Sequence, residues 1–289
     1  MKTLSVIIPA RSEEFLQQTI DDVFKHSELG NEMEVIVGDD GSDKFSIKEE
    51  FAGHSLWNIN GAKGWPDRFR WHQEKNPIGQ RAMQNKLAEL AKGKYLMKLD
   101  AHVSLSQGFD RVMVEIMEAN PNIVLIPAIG NLHVYDWVCD KGHRTYQGAN
   151  VKKCSQCDST ELKKDLVWKI NGNSLYSDFY FDKDLIFQLG DKENPKLLNE
   201  VKAIQGSGFM VSGENYWKWQ LCNESWGSWG QQGYEVWKKT YDNGGKVFST
   251  RRAFMGHFFR KVDEFPYERD LKSIEAAYQK SKELFAKSI

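Results

Sequence analysis

Two short patterns in this sequence carry residue types that bind metal ions. In the first, Asp100 and His102 follow the apolar-rich run 95–99. Residues two apart on an extended segment point to the same side, so both side chains could hold one divalent cation at the carboxyl end of a buried strand. A simple turn after the strand explains the same residues, and this pattern alone leaves both interpretations open.

The second pattern is a cysteine and histidine cluster in a polar segment that is rich in glycine and lysine. Its spacing supplies four ligands for a tetrahedral Zn²⁺ ion: Cys139-x3-His143-x10-Cys154-x2-Cys157. We interpret it as a structural zinc site, with free thiols in a loop as the alternative. His133 is a substitute for His143 as the fourth ligand. Cys222 stands alone and predicts no site.

Composition limits the class of protein. The chain has 289 residues, of which 40% are hydrophobic and 27% charged, as expected for one large globular domain or a domain with an insertion. A net charge of -1 argues against a strongly basic nucleic-acid binder. No apolar run approaches 18 residues, and the apolar run 4–9 is too short for a secretory signal. These features predict a cytoplasmic protein without a membrane span.

Strand and helix patterns alternate through the first half of the chain. Apolar runs predict strands at 4–9, 33–37, 94–99 and 123–127, and helices are predicted after Ser12 as N-cap, over 79–91 and over 108–120. A further strand is predicted near the end of the chain, at Val247-Phe248. This alternation predicts a doubly wound α/β sheet, in which ligands bind at the carboxyl ends of parallel strands.

Two further features could bind a nucleotide diphosphate. The turn Asp39-Asp40-Gly41-Ser42 follows the second strand, where acids can accept hydrogen bonds from a ribose or a base, or simply cap a helix. Arg81 lies on the first turn of the helix 79–91, where it could reach a diphosphate or stay solvated on the surface.

Taken together, these segments resemble nucleotide-sugar glycosyltransferases of the GT-A fold, most closely the family 2 enzymes and the polypeptide N-acetylgalactosaminyltransferases. The resemblance covers most of residues 3–261 and rests on ordered motifs: 5–11, Asp39–Ser42, Asp100-Ala101-His102, 206–209, Trp229-Gly230 and His257. It implies an α/β GT-A fold, Rossmann-like with a mostly parallel sheet and flanking helices, over 1–262. A zinc-binding insertion would span 132–168, and a C-terminal helix 263–289.

The resemblance also implies the site. A Mn²⁺ or Mg²⁺ ion would be held by Asp100, His102 and His257, and this mixed set of oxygen and nitrogen ligands suits Mn²⁺ better. Glu235 and Arg81 are the expected catalytic residues, with Arg260 or Lys261 adding charge at the diphosphate. The reaction would move a sugar from a UDP-sugar to a hydroxyl acceptor. Donor contacts are expected from Pro9, Arg11, Glu13, Asp39, Asp40, Arg81, Asp100, Gly208, Trp229 and Arg260.

One motif departs from the family pattern. Where those transferases have Gly-Gly-Glu-Asn after the tryptophan, this chain has Gly230-Gln231-Gln232-Gly233, so an expected acid is replaced by the amide of Gln232. Glu235 or Glu224 would supply the acidic function instead, or no protein base is used. Whether the sugar configuration is retained or inverted stays open for the same reason.

Two rival functions and the acceptor also stay open. A nucleotidyltransferase would need a Gly-rich phosphate loop after the first strand, which this sequence lacks. A zinc-ribbon binding module on a catalytically inactive transferase-like body is the non-enzymatic alternative. Modified DNA is one hypothesis for the acceptor, because the cysteine-rich segment is locally basic at Lys141, Arg144, Lys152, Lys153, Lys163 and Lys164.

Overall fold

The computed structural model describes residues 2–44, 68–148, 151–192, 194, 196–260 and 264–286. Its helices are α1 (Leu16–His26), α2 (Gln80–Leu90), α3 (Phe109–Ala119), α4 (Gly213–Lys218), α5 (Gln232–Asp242) and α6 (Leu271–Ala286). Its strands are β1 (Lys2–Ala10), β2 (Met33–Asp40), β3 (Phe69–Glu74), β4 (Gly93–Leu99), β5 (Val103–Leu105), β6 (Ile123–Cys139), β7 (Arg144–Tyr146), β8 (Leu162–Ile170), β9 (Phe179–Phe181), β10 (Phe187–Leu189), β11 (Leu198–Glu200), β12 (Gly208–Ser212) and β13 (Lys246–His257).

A mixed sheet of 11 strands forms the centre, in the order β11-β13-β6-β12-β4-β1-β2-β3. The pairs β4-β1, β1-β2, β2-β3 and β13-β6 are parallel. Strand β12 lies antiparallel between β4 and β6, and β5, β7 and β8 join the sheet outside this order. The α/β prediction with a mostly parallel sheet is therefore confirmed.

The central strands are buried because their sequences are apolar on both faces. Strand β1 lies between β2 and β4, and Leu4, Val6 and Ile7 have no exposed surface. Helices on both faces of a parallel sheet leave no polar side, which explains the continuous apolar run. Helix α2 packs on β1 and β2, where a side chain on Gly38 would collide with Met83.

Three predicted elements have different limits in the structure. The helix predicted to begin after Ser12 starts at Leu16, and Ser12 has φ +51° while its hydroxyl donates to Asp43 Oδ1 at 2.7 Å. It is therefore a turn residue and not the N-cap. The strand predicted at 123–127 continues to Cys139, because its second half, in which polar and apolar residues are mixed, pairs with β7 and β8. The predicted strand around Val247 likewise extends to His257.

The Cys/His arm, residues 132–170, grows out of the end of β6. A small aromatic cluster joins it to the body; its buried members are Phe15, Leu132, Val134, Tyr135 and Phe258. Trp168 of the arm packs on this cluster and donates through Nε1 to Asp22 of α1 at 2.9 Å. Among the described helices, none combines the length and the apolar character that crossing a bilayer requires.

Candidate active site

A cavity of about 590 Å³ opens at the carboxyl ends of β1, β2, β4 and β13. This is the edge at which ligands bind in α/β sheets. Its wall includes many of the predicted site residues: Pro9, Arg11, Glu13, Asp40, Asp100, His102, Trp229, His257 and Arg260.

Asp100, His102 and His257 converge in this cavity although His257 is far away in sequence. Their ligand atoms all lie within 4.8 Å of one another. Strand pairing produces the convergence, because His257 ends β13 opposite Val103 of β5, and the Phe258 amide donates to the His102 carbonyl at 3.1 Å. The His257 Nε2 atom lies 3.2 Å from Asp100 Oδ2.

The protonation states of Asp100 and His257 suit this cluster to binding a cation. Burial raises the pKa of Asp100, but the Lys98 ammonium and the His257 imidazole outweigh it and bring that pKa below its ordinary value. Lys98 pairs with Asp100 Oδ1, so Oδ2 is the oxygen that faces His257. Burial also lowers the pKa of His257 to about 4, which keeps the imidazole neutral near pH 7.

The donor set fits a divalent transition-metal ion. One carboxylate and two imidazoles form a mixed oxygen and nitrogen site of the kind that Mn²⁺ accepts. The Nδ1 atom of His257 is buried and has no hydrogen-bond partner among the described residues. A cation held by this cluster would bind Nε2, the ring nitrogen that faces Asp100 Oδ2.

Glu13 supports the cluster from the turn after β1. Its Oε2 atom lies 3.3 Å from His102 Nδ1, and its Oε1 accepts from Arg260 Nη1 at 2.9 Å. Burial raises the pKa of Glu13, but His102 and Arg260 together lower it to about 2. Glu13 therefore stays ionised. It accepts a hydrogen bond from the Arg260 guanidinium and lies at ion-pair distance from His102 Nδ1.

The two acids of the turn after β2 have different surroundings. Asp39 is fully buried, accepts from the Ser42 amide at 3.0 Å and from Gln73 Nε2 at 3.1 Å, and does not line the cavity. Asp40 does line it, while its oxygens accept from the amides of Ile78 and Gly79 at 2.7 and 2.9 Å. Burial raises the pKa of Asp40.

Arg81 and Glu235 do not reach the cavity. Neither side chain has more than 1% exposure, and Arg81 Nε donates to Glu235 Oε2 at 2.9 Å. The same guanidinium donates to the carbonyls of Gly227 and Gly230. The pair therefore lies behind the cavity wall, where it holds the loop that carries Trp229.

Gln232 and Gly208 also make contacts within the protein interior and do not line the cavity. Gln232 is buried and its Nε2 donates to Gln84 Oε1 at 2.6 Å, so the amide belongs to a buried network and not to the cavity wall. Gly208 pairs with Leu99, and a side chain there would collide with Met255. Glu224 accepts from Asn85 Nδ2 at 2.9 Å, away from the cavity.

A segment after Arg260 lines the cavity and was missed in the sequence. Lys261, which was expected to add charge, lies outside the described residues. The Arg11 guanidinium lies over the Tyr267 ring, 5.2 Å from the ring centre. Burial raises the pKa of Tyr267 to about 12. The ring of Phe265 meets Trp229 edge-on at 6.0 Å. The sequence of this segment offers only two aromatic residues, Phe265 and Tyr267, among charged residues, and their spacing is not typical of a binding site. The lining residues of this segment are Phe265, Tyr267, Glu268, Arg269, Asp270 and Ile274.

The four predicted zinc ligands gather at the end of the Cys/His arm. Cys139 Sγ lies 3.8 Å from Cys157 Sγ, and Cys154 Sγ lies 3.7 Å from His143 Nδ1. A disulfide would need about 2 Å, whereas two sulfurs on one tetrahedral Zn²⁺ at about 2.3 Å each are separated by about 3.8 Å. The cluster therefore fits a zinc ion.

A hydrogen bond also affects the thiol of Cys154 in the turn Cys154–Cys157. The Gln156 amide donates to Cys154 Sγ at 3.4 Å and lowers the pKa of Cys154 to about 6. A lowered pKa favours the thiolate, which is the form that binds metal. His133, the substitute ligand, lies elsewhere, since its Nε2 is 2.7 Å from Asp136 Oδ1.

Comparison with known proteins identifies the family. The profile of Glycosyl transferase family 2 matches residues 5–183, which is more than half of the chain. The chain belongs to glycosyl transferase family 2. The matched residues include Asp100 and His102 but end before Trp229, His257 and Arg260.

Relatives extend this family assignment. A Drosophila melanogaster protein assigned as polypeptide N-acetylgalactosaminyltransferase 13 is 22% identical over 99% of this chain and 47% of its own length. The crystal structure of GalNAc-T7 with UDP, GalNAc and Mn²⁺ superposes with a TM-score of 0.70, at 21% identity, over 98% of this chain and 48% of GalNAc-T7.

A more distant match has the same fold. S. aureus TarS 1-349 in complex with UDP has a TM-score of 0.54 at 12% identity, over 88% of this chain and 60% of TarS 1-349. These matches show the GT-A fold. This family 2 chain spans about half the length of the N-acetylgalactosaminyltransferase relatives it matches.

Proposed function

We propose that this chain transfers a sugar from a UDP-sugar to a hydroxyl group, with Mn²⁺ or Mg²⁺ held by Asp100, His102 and His257. The observation that carries the proposal is the convergence of these three side chains in the main cavity of a family 2 fold. The presence of UDP and Mn²⁺ in GalNAc-T7, and of UDP in TarS, supports the choice of donor and cation.

When bound, the cation would neutralise the negative charge that develops on the leaving nucleoside diphosphate. The chain's own residues prepare this site. Lys98 holds Oδ1 of Asp100, so that Oδ2 faces the His257 imidazole. Glu13 fixes the ring of His102 and the guanidinium of Arg260. We assign Arg260 and Arg11, two of the arginines that line the cavity, to the diphosphate.

The remaining donor contacts follow from the cavity wall. Asp40, Pro9 and Arg11 line it, and Trp229 lines it from the 227–230 loop. We assign the nucleoside to the Asp40 side, where that carboxylate shapes the turn at 78–79. Asp39 then positions the turn 39–42 instead of touching the donor.

The acid on the acceptor side needs a new assignment. Arg81 and Glu235 are positioning residues in this proposal, because they are buried and hold the 227–230 loop. Glu268 lines the cavity and is exposed. Since the other lining acids accept the hydrogen bonds described here or cap α6, as Asp270 does, we assign Glu268 as the acid able to accept a proton from the acceptor hydroxyl.

For the Cys/His cluster we propose a structural Zn²⁺ ion, supported by its interatomic distances. The four ligands leave no open position for catalysis. The proposed organisation is a GT-A domain over 1–262 with a zinc-binding insertion at 132–168, followed by a C-terminal helix within 263–289. The structure has α6 at Leu271–Ala286.

The test is donor hydrolysis by the purified chain. Release of UDP, GDP and dTDP from a panel of nucleotide sugars is measured with Mn²⁺, with Mg²⁺ and after chelation. We expect UDP release that depends on the divalent cation and falls more than about 100-fold in His102→Ala, because removing even an outer-shell partner costs about 10–100-fold. His72→Ala is the matched control, since His72 bonds Glu74 outside the cavity.

Other outcomes separate the alternatives. Cation-independent hydrolysis, or full activity in His102→Ala, would contradict the proposed metal site. Tight binding of UDP and Mn²⁺ without turnover of any donor would favour a binding module on an inactive body. Release of pyrophosphate from a nucleoside triphosphate would favour a nucleotidyltransferase.

A further inference from the structure

A second cavity, of about 360 Å³, lies on the Cys/His arm. It is lined by His133, Tyr146, Lys169, Ile170, Asn171, Gly172 and Asn173. We propose that this cavity is a saccharide-binding subsite that holds an uncharged part of the acceptor away from the reacting hydroxyl. Its role as an acceptor subsite rests on the proposed glycosyl transfer.

Two aromatic rings give the cavity a fixed apolar wall. The rings of His133 and Tyr146 lie 4.5 Å apart at an angle of 40°, and Tyr146 is 51% exposed. Asp136 fixes the His133 ring at 2.7 Å and is itself bound by Arg144. Sugar rings present an apolar C–H face, which packs on an exposed aromatic surface whose polar edge stays hydrated.

The rest of the wall offers hydrogen bonds of the kind that sugar hydroxyls use. Asn171 and Asn173 carry amides that both donate and accept, and Lys169 adds donors. The backbone holds this rim in place, since the Asn171 amide donates to Asn131 at 2.9 Å and the Asn171 side chain accepts from the Asn173 amide at 3.1 Å. A few placed polar groups beside an aromatic surface are typical of a small-molecule site.

Strand register connects this cavity to the main site. Asn131 of β6 pairs with His257 of β13, and paired strands lie about 5 Å apart. The Asn131 side chain donates to the Tyr146 hydroxyl at 2.6 Å. Asn131 therefore links the two places: its backbone pairs with His257, a proposed cation ligand, and its side chain bonds Tyr146 of the aromatic wall. In our proposal an extended acceptor spans both sites.

The charge pattern favours a neutral saccharide over a nucleic acid. The Cys/His arm carries seven lysines and arginines but also five aspartates and glutamates. Arg144 pairs with Asp136 and Asp165, and Lys164 pairs with Glu14. Among the described residues that line this cavity, Lys169 is the one cation. Binding to a phosphate backbone relies on several cations close together, whereas the lining of this cavity offers a single one.

The experiment is saturation-transfer NMR on the full chain without donor or Mn²⁺. Neutral methyl glycosides and disaccharides are compared with a single-stranded DNA oligonucleotide and inorganic phosphate. We expect binding of neutral sugars that weakens roughly fivefold or more in Tyr146→Ala, because an aromatic contact is lost. Asn173→Ala, on the exposed rim, should weaken it too, and Tyr180→Ala is the control at an exposed tyrosine of β9.

The outcomes distinguish this proposal from the proposed enzyme activity. If no neutral sugar binds, or if sugars bind equally to Tyr146→Ala and Asn173→Ala, the subsite is contradicted even where UDP-sugar hydrolysis is found. Stronger binding of the oligonucleotide than of any sugar would also contradict it and favour a nucleic-acid acceptor. Equal zinc content in all variants shows that the arm is intact.

Discussion

The two ligand clusters of this protein are assembled in opposite ways. Cys139, His143, Cys154 and Cys157 come from one stretch of 19 residues in the Cys/His arm. Asp100 and His102 come from the turn after β4, whereas His257 ends β13, more than 150 residues further along the chain. The first cluster is a local structure, whereas the second depends on the whole sheet.

The ligand atoms of the two clusters also differ in type. Three sulfurs and one nitrogen form a soft, closed set that suits a structural Zn²⁺ ion. One carboxylate and two imidazoles form a harder set with room for further ligands, and they line a cavity of about 590 Å³. A local cluster stabilises a small arm with little core, and a cluster built by the sheet is positioned to act on a bound molecule.

The largest expected effect is on the local cluster. Cys154→Ala removes one of four ligands, and structural zinc sites in peptides bind with about 10–16 kcal/mol, so we expect loss of zinc and local unfolding of the Cys/His arm. Zinc analysis and proteolysis of the arm measure this, with Cys222→Ala as the control cysteine outside the cluster. If zinc is absent from the wild-type chain, or retained in Cys154→Ala, the two clusters do not differ as proposed.

The next effect concerns the support of the distant cluster. Glu235→Gln leaves the buried Arg81 guanidinium with an uncompensated charge, and breaking a buried pair costs about 3–5 kcal/mol in the free energy of unfolding. Glu115→Gln is the matched control, because its pair with Arg252 is exposed and should contribute less than about 1 kcal/mol. Urea denaturation measures both variants.

The same variant separates a positioning role from a catalytic one. If Glu235→Gln is as stable as the wild type but loses UDP-sugar turnover by orders of magnitude, Glu235 acts directly on the substrate. A large loss of stability, with turnover per folded molecule largely kept, supports its role in holding the loop of Trp229.

The smallest expected effect is at Glu13, which contacts the proposed ligand His102 but is not itself one of the three proposed metal ligands. Glu13→Gln should weaken Mn²⁺ binding by about 10–100-fold, since outer-shell carboxylates orient metal-binding imidazoles. Electron paramagnetic resonance of free Mn²⁺ measures this without a donor. Unchanged affinity would mean that His102 is oriented by other contacts.

Glu13 also predicts an acid dependence of the metal-free protein. Its pKa in the folded chain is about 2, below the ordinary value of 4.5, so its contribution to stability is complete above about pH 4.5 and is lost as the pH falls toward 2. The melting temperature of Glu13→Gln should therefore fall less steeply than that of the wild type across this window. An equal slope would mean that Glu13 is not held by His102 and Arg260.

Local patterns predicted the elements better than they predicted roles. The apolar runs located β1, β2 and β4, because a strand buried on both faces needs a continuous apolar sequence. The 17-residue length of β6 was not predictable from its apolar part, since the second half is stabilised by pairing with β7 and β8.

Residue type was a weaker guide to position in the site. The family resemblance implied catalytic roles for Arg81 and Glu235, yet their side chains pair with each other in the interior, where charged residues are seldom found. Tyr267 and Glu268 reach the cavity by the path of a segment with no regular structure, which no periodicity describes. The second cavity likewise needed the register that places Tyr146 beside His133.

The sequence by itself determined the α/β class, the Cys/His cluster and the order of the family motifs, because each depends on neighbouring residues or on order along the chain. Only the tertiary structure decided which charged groups face the cavity, since that depends on contacts between segments far apart in sequence. Asp100 and His102 could be recognised as a pair from their spacing. Their meeting with His257, and the burial of Arg81 against Glu235, required the folded sheet.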